Sequence, residues 1–157
     1  NFLFYKFIKL ALPGSKFIHT HRNPWDNAIS LFKANYQDTI IYASSFFTIA
    51  TEYSNYSHLM RFWRKISKDD AFLDMSYEKL VSNTDVAVKE LWDYCGLEGE
   101  FSSQKRKSHY ANTASQQQVS QDIYQSSLKK EEFLGFKDQF TDDMAQQDVF
   151  WEKRLKT

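Results

Sequence analysis

The chain has 157 residues, of which 42% are hydrophobic and 17% aromatic, which is enough for one domain with a packed core. Its 20 basic and 20 acidic residues cancel, which argues against a broad polybasic nucleic-acid surface but permits a local anion site. A single cysteine excludes an internal disulfide, and no apolar run approaches the ~20 residues of a membrane span.

The first elements predicted along the chain are a helix and a strand. Residues 2–12 place apolar side chains at helical spacing, and Pro13-Gly14 ends that helix. Residues 16–22 are β-branched and aromatic and follow a turn, so they predict a short strand. Because the sequence begins at Asn1 without methionine and enters an apolar segment at once, we expect further chain upstream.

A second helix begins directly after this strand. Asn23 can accept hydrogen bonds as an N-cap, Pro24 suits the first turn, and Asp26 complements the helix dipole. The helix should run to about Tyr36. The strand therefore leads straight into a helix N-terminus, and Arg22 lies at the junction.

The middle of the chain repeats the helix–strand alternation. Residues 43–67 carry the longest helical stripe of apolar side chains, and residues 72–77 predict a second strand. Residues 85–94 predict a further helix, with Gly96 as its C-cap. Strands that alternate with long helices indicate an α/β architecture with parallel strands.

Beyond residue 98 the composition changes. Residues 102–122 are rich in Ser, Gln and Lys and predict a long loop. Helices are expected near residues 123–133 and 143–155. Since two parallel strands make a poor sheet alone, we expect additional strands from upstream chain or from a partner.

The strand–helix junction is a candidate anion site. A helix N-terminus favours negative charge, and the Arg22 guanidinium is a planar donor suited to phosphate. Ser30 lies about two turns into the helix and can share the face of Asn23, so the hydroxyl and the guanidinium can converge on one phosphate. The alternative is a surface arginine and an unrelated helix-face serine.

Residues 16–32, KFIHTHRNPWDNAISLF, resemble the 3′-phosphate-binding motif of sulfotransferases. In that family an arginine ends a strand, a proline and an acid open the helix, and a serine follows eight residues after the arginine. Arg22 and Ser30 match those two positions. The resemblance implies an incomplete, helix-rich sulfotransferase fold of the α/β, P-loop-NTPase-like type, with residues 1–157 as the C-terminal part of one domain.

Two further segments resemble the same family. Residues 75–81, MSYEKLV, are similar to its "YE-x-LV" segment, in which the tyrosine reaches the adenine side of the nucleotide; Tyr77 takes that place, unless it merely packs. Residues 112–130 resemble the cap of tyrosylprotein-sulfotransferase-like and bacterial tetratricopeptide-linked relatives, with Ser115 and Lys130 at matching positions. The family's next tryptophan is Glu131 here, and the alternative is a polar linker.

The resemblance implies a function. The chain would bind the 3′-phosphoadenosine part of the sulfate donor PAPS (3′-phosphoadenosine 5′-phosphosulfate) or of its product PAP, for sulfuryl transfer to a hydroxyl acceptor in the full-length enzyme. The phosphosulfate loop and catalytic base are expected upstream of Asn1, so the chain alone should be inactive. No metal and no nucleic acid is implied, and a cytoplasmic location is expected. The alternative is a non-catalytic nucleotide-binding or homo-oligomeric assembly module.

Other polar and cysteine residues carry weaker signals. His19 and His21 form an H-x-H pair on one strand face, but two ligands without a third do not make a metal site. His58 is expected on the surface or on a helix face, and Cys95 is expected to be buried and inert.

Overall fold

The computed structural model of the chain describes residues 2–34, 40–67, 72–98 and 130–154, and these ranges form helices around a small parallel sheet. The helices and strands follow in chain order as α1 (Tyr5–Ala11), β1 (Phe17–His21), α2 (Pro24–Ala34), α3 (Phe46–Ile66), β2 (Phe72–Ser76), α4 (Tyr77–Ser82), α5 (Thr84–Cys95) and α6 (Lys137–Arg154), with 3-10 helices at Phe2–Phe4, Ile41–Ser44 and Lys130–Phe136. The predicted helix-rich α/β class is confirmed.

The sheet places two strand–helix junctions side by side. Strands β1 and β2 pair in parallel, from Phe17 opposite Phe72 to His21 opposite Ser76. Because parallel strands share one carboxyl edge, the residues that follow each strand lie at the same edge of the sheet. These residues are Arg22, at the start of the loop to α2, and Tyr77, the first residue of α4.

The predicted start of α2 is confirmed in detail. The Asn23 side-chain oxygen accepts hydrogen bonds from the backbone N–H groups of Trp25 at 3.0 Å and Asp26 at 3.2 Å, which is N-cap geometry. The helix begins at Pro24, as expected for a residue that has no N–H to satisfy. This cap fixes the direction in which the chain leaves β1, and so fixes the position of Arg22.

Helices α2, α3 and α6 enclose the main core. Trp25, Ala28 and Ile29 of α2 are buried against Ile49 and Ala50 of α3, and Phe140 of α6 closes the cluster. The Trp25 ring lies 5.4 Å from that of Phe140. Apolar burial of this kind contributes roughly 1.5–3 kcal/mol per large side chain, so this core holds α2 rigidly beside the sheet.

Several predicted boundaries differ from the structure. Helix α3 begins at Phe46, not at residue 43, because the Ser45 hydroxyl caps it by accepting from the Thr48 N–H at 3.1 Å. Helix α6 begins at Lys137, six residues before the predicted start, since Phe140 belongs to the core. Residues 130–136 form a 3-10 helix where an α-helix ending at Phe133 was predicted. The predicted loop 102–122 lies outside the described residues.

The end of α5 agrees with the sequence-based expectation. Gly96 adopts the left-handed conformation, with φ 69° and ψ 34°, and terminates the helix. Cys95 is half-buried, so its predicted burial is only partial. In the described part of the chain, no helix is both long and apolar enough to cross a membrane.

Candidate functional site

A cavity of about 420 Å³ opens at the carboxyl edge of the two strands. Two residues of the junctions, two of α2 and three of α3 are among its walls: Arg22, Tyr77, Asn27, Leu31, Glu52, Tyr53 and Tyr56. A concave site with mostly apolar and aromatic walls and a few polar groups is typical of a small-molecule site. Its position follows the rule that open α/β sheets bind ligands outside the carboxyl ends of their strands.

Arg22 brings to this cavity a buried Nε that has no acceptor among the described residues. Its Nε is buried, and no acceptor within the four described ranges hydrogen-bonds to it. No described carboxylate forms an ion pair with it either. Its Cζ lies 4.8 Å from the centre of the Tyr77 ring, a cation–π distance that holds the guanidinium in place. A buried donor left without an acceptor costs free energy, which an anionic ligand would recover.

The two junctions are tied to each other as well as to the sheet. The backbone N–H of Asn23 donates to Glu78 Oε1 at 2.8 Å, which links the start of α2 to the start of α4. The Ser76 hydroxyl accepts from the backbone N–H of Lys79 at 3.0 Å and caps α4. These bonds hold Arg22 and Tyr77 in register at one edge, so the predicted pair of motifs does come together.

Within its described ranges, the structure does not place the other three predicted site residues at the cavity. Ser30 is half-buried on α2, but it is not among the residues lining the cavity, whereas its neighbours Asn27 and Leu31 are. Within the described ranges its hydroxyl makes no side-chain hydrogen bond, and its predicted role stays a prediction. Ser115 lies outside the described residues. Lys130 begins the last 3-10 helix, and its predicted contact with nucleotide also stays a prediction.

Helix α3 contributes cavity residues that the sequence-based reasoning did not single out. Glu52, Tyr53 and Tyr56 all line the cavity, and the rings of Tyr53 and Tyr56 meet edge to face at 5.6 Å. Tyr53 falls within the stripe of apolar side chains that the sequence predicts over residues 43–67. The available signal was the i, i+1, i+4 spacing of these three residues, which gathers polar tips on one side of a helix whose other side is core.

A polar chain runs from this cavity wall into the sheet. The Tyr56 hydroxyl is hydrogen-bonded to His19 Nε2. On the other side of the ring, His19 Nδ1 lies 2.5 Å from Asp74 Oδ1, and Arg64 Nη2 also donates to that oxygen at 2.5 Å. Residues 19 and 74 are direct partners in the β1–β2 register, so the sheet itself aligns this chain.

The surroundings of these hydrogen-bonded side chains shift three of their pKa values. Burial lowers the pKa of His19 from 6.5, and it outweighs the opposing effects of the Asp74 hydrogen bond and charge. Burial alone would raise the pKa of Asp74, but hydrogen bonds from His19 and Arg64 and the Arg64 charge bring it below 3.8. Burial raises the pKa of Tyr56 above 10.0. Near neutral pH the His19 imidazole is therefore neutral, the Asp74 carboxylate is ionised and the Tyr56 phenol is protonated.

A second polar cluster joins α3 to α6. Asp148 accepts from the Ser54 hydroxyl at 2.7 Å and contacts His58 Nε2 at 2.9 Å. His58 therefore lies between two helices with 9% of its side chain exposed. Of the two positions expected for it, it takes the helix face and not the surface. Among the described residues, no group of three or more His, Cys, Asp or Glu side chains has the arrangement of a metal site.

One of three comparisons with known proteins finds a match. The profile of the sulfotransferase family matches residues 1–102, which include both strands, both junctions and the cavity walls described above. No curated protein and no solved structure matches the chain. Since the match covers well over half of its length, the chain belongs to the sulfotransferase family.

Proposed function

We propose that this chain carries the 3′-phosphoadenosine-binding part of a PAPS-dependent sulfotransferase. The observation that carries the proposal is Arg22, whose buried Nε has no acceptor among the described residues and whose guanidinium rests on the Tyr77 ring at the cavity. A cation prepared in this way fits a phosphate, because phosphate supplies the missing acceptor oxygens and the opposite charge.

Arg22 would hold the 3′-phosphate of the donor, with Ser30 as a second donor and Tyr77 beside the nucleoside. Ser115 and Lys130 would close over the nucleotide from the C-terminal part of the chain. The donor, when bound, supplies an activated sulfuryl group that passes in line to an acceptor hydroxyl, a reaction in which positioning and charge stabilisation dominate. The residues of this chain anchor and orient the donor at the end far from the transferred group.

The phosphosulfate loop and the catalytic base would lie upstream of Asn1, with residues 1–157 forming the C-terminal part of a P-loop-like domain. The likeness of residues 112–130 to tyrosylprotein-type and tetratricopeptide-linked relatives supports that subtype. A cytoplasmic location stays a prediction, as does homo-oligomerisation.

Calorimetry on the protein tests the proposal through its specificity. We expect adenosine 3′,5′-bisphosphate to bind more tightly than 5′-AMP, because only the former carries the 3′-phosphate. Arg22→Gln should weaken bisphosphate binding about 10- to 100-fold, since hydrogen bonds to charged groups contribute roughly 1.5–3 kcal/mol. Ser30→Ala should weaken it by a smaller factor, as expected for a single neutral donor.

The control is Lys89→Gln, which removes one positive charge from an exposed position on α5 that does not line the cavity. This variant should bind like the unaltered protein. Equal affinities for adenosine 3′,5′-bisphosphate and 5′-AMP would contradict the proposal and favour a general nucleotide-binding module.

A further inference from the structure

The polar chain behind Tyr56 fixes which way its hydroxyl hydrogen points. His19 Nδ1 lies 2.5 Å from Asp74 Oδ1, and two lone pairs at that separation would repel each other, so Nδ1 carries the proton and donates it. Arg64 Nη2 also lies 2.9 Å from this Nδ1, but it donates to the same carboxylate oxygen, so the Asp74 side chain accepts from both. The tautomer of His19 is therefore set by Asp74.

With Nδ1 protonated, Nε2 of a neutral His19 has only a lone pair to offer. The Tyr56 O–H therefore donates to Nε2, and its hydrogen is not available to the cavity. Burial keeps the pKa of His19 below 6.5, so the neutral ring prevails at pH 7. The groups around the ring are Asp74 on β2, Arg64 and Tyr56 on α3, and His21, which stacks on it at 5.4 Å.

Tyr56 lines the cavity, and its hydroxyl then has only an acceptor to offer a ligand. Its oxygen keeps a lone pair, and no described residue donates a hydrogen bond to it. The same cavity also has Arg22, a hydrogen-bond donor for anions, in its wall. The wall therefore offers a donor at Arg22 and an acceptor at Tyr56. An anion would be repelled by a phenol oxygen that cannot donate, whereas a ligand O–H or N–H would be accepted.

We propose that Tyr56 is a specificity-determining residue that accepts a hydrogen bond from a hydroxyl or amino group of the nucleoside whose 3′-phosphate contacts Arg22, and that His19 is its positioning residue. The inference rests on the proposed function of this cavity. It adds a second recognition element, which reads a neutral donor group of the same ligand.

The test compares a tyrosine of the cavity wall with a tyrosine that does not line the cavity. Tyr56→Phe keeps the ring, which packs edge to face with Phe2 at 5.2 Å, and removes the oxygen. We expect it to weaken binding of adenosine 3′,5′-bisphosphate about three- to tenfold, the range for one neutral hydrogen bond. The control is Tyr94→Phe, because Tyr94 does not line the cavity and its hydroxyl is hydrogen-bonded to the backbone of Phe17. This variant should leave the affinity within about twofold.

Ligand analogues identify the donor group. The loss of affinity caused by Tyr56→Phe should vanish either with 2′-deoxyadenosine 3′,5′-bisphosphate or with the analogue that lacks the 6-amino group.

A variant of His19 tests its positioning role. His19→Asn keeps a donor to Asp74 but removes the Nε2 acceptor, and it should reproduce part of the loss of affinity seen in Tyr56→Phe. In the unaltered protein, the affinity for adenosine 3′,5′-bisphosphate should fall as the pH drops through the His19 pKa. Once Nε2 is protonated it donates to the Tyr56 oxygen, and the Tyr56 O–H turns toward the cavity. The Tyr56→Phe variant should lack this pH-dependent loss of affinity.

The outcomes separate the two hypotheses. If the protein binds the bisphosphate and Arg22→Gln weakens that binding, but Tyr56→Phe behaves like Tyr94→Phe, the inference about Tyr56 is wrong and the proposed function stands. A Tyr56→Phe penalty that persists with both analogues also overturns it. If the unaltered protein does not bind adenosine 3′,5′-bisphosphate, both the proposed function and this inference fail.

Discussion

At the scale of single residues, Gly96 shows how one backbone position sets a boundary. Its φ of 69° is open to glycine and costs other L-residues roughly 1–2 kcal/mol. A Cβ at this position would also lie 3.4 Å from Lys16 Nζ, which caps α5 by donating to the Tyr94 carbonyl at 2.5 Å. We therefore expect Gly96→Ala to lower the free energy of unfolding by about 1–2 kcal/mol in urea denaturation.

Gly14→Ala is the matched control for this prediction. A Cβ there would meet no atom within 4 Å, and this glycine does not have a positive φ. Its substitution should leave stability unchanged or raise it slightly, because alanine restricts the unfolded chain. Equal losses for both variants would show that strain at Gly96 is not the cause.

At the scale of elements, one carboxylate contributes to the packing of α6 on α3. The Ser54 side chain is fully buried, and its hydroxyl donates to Asp148. Asp148→Ala would leave that hydroxyl buried without an acceptor, at a cost of about 1–3 kcal/mol. Adding Ser54→Ala should recover part of the loss, because the buried hydroxyl is then removed together with its acceptor. Asp142→Ala, at an exposed position of α6, should be nearly neutral in the same denaturation assay.

Elements were predictable where their signals are local. Asn23 and Pro24 predict the start of α2, and Gly96 predicts the end of α5, because a helix cap depends on residues only a few positions apart. The start of α6 was missed because only its packing of Phe140 against Trp25, more than a hundred residues away, defines its apolar face. The polar chain from Tyr56 to Asp74 was likewise invisible, since a sheet register and a helix packing must both form before these side chains meet.

At the scale of the whole molecule, two polar clusters join elements that are far apart in sequence. His19, Asp74 and Arg64 connect β1, β2 and α3, while His58 and Asp148 connect α3 to α6. Tyr56, which is bonded to His19, and Ile49 of the core both line the cavity, so contacts that stabilise the fold also position its walls. Protonation of these clusters is therefore expected to act on the stability of the entire structure.

The last prediction concerns this dependence of stability on pH. Burial lowers the pKa of His19 below its ordinary 6.5, so in the interval beneath 6.5 the unfolded chain binds more protons than the folded one, and stability falls as pH falls. The pKa values of Asp74 and Asp148 lie below 3.8 in the folded state, so their contribution is present above 3.8 and is lost as pH falls through the folded values. Urea midpoints should therefore be flat above about pH 7, decline beneath it and decline again below about pH 4. His19→Gln should remove the decline below about pH 7 and keep the decline below about pH 4. If the urea midpoint of the unaltered protein stays constant from about pH 7 to 5, the fold does not hold His19 neutral.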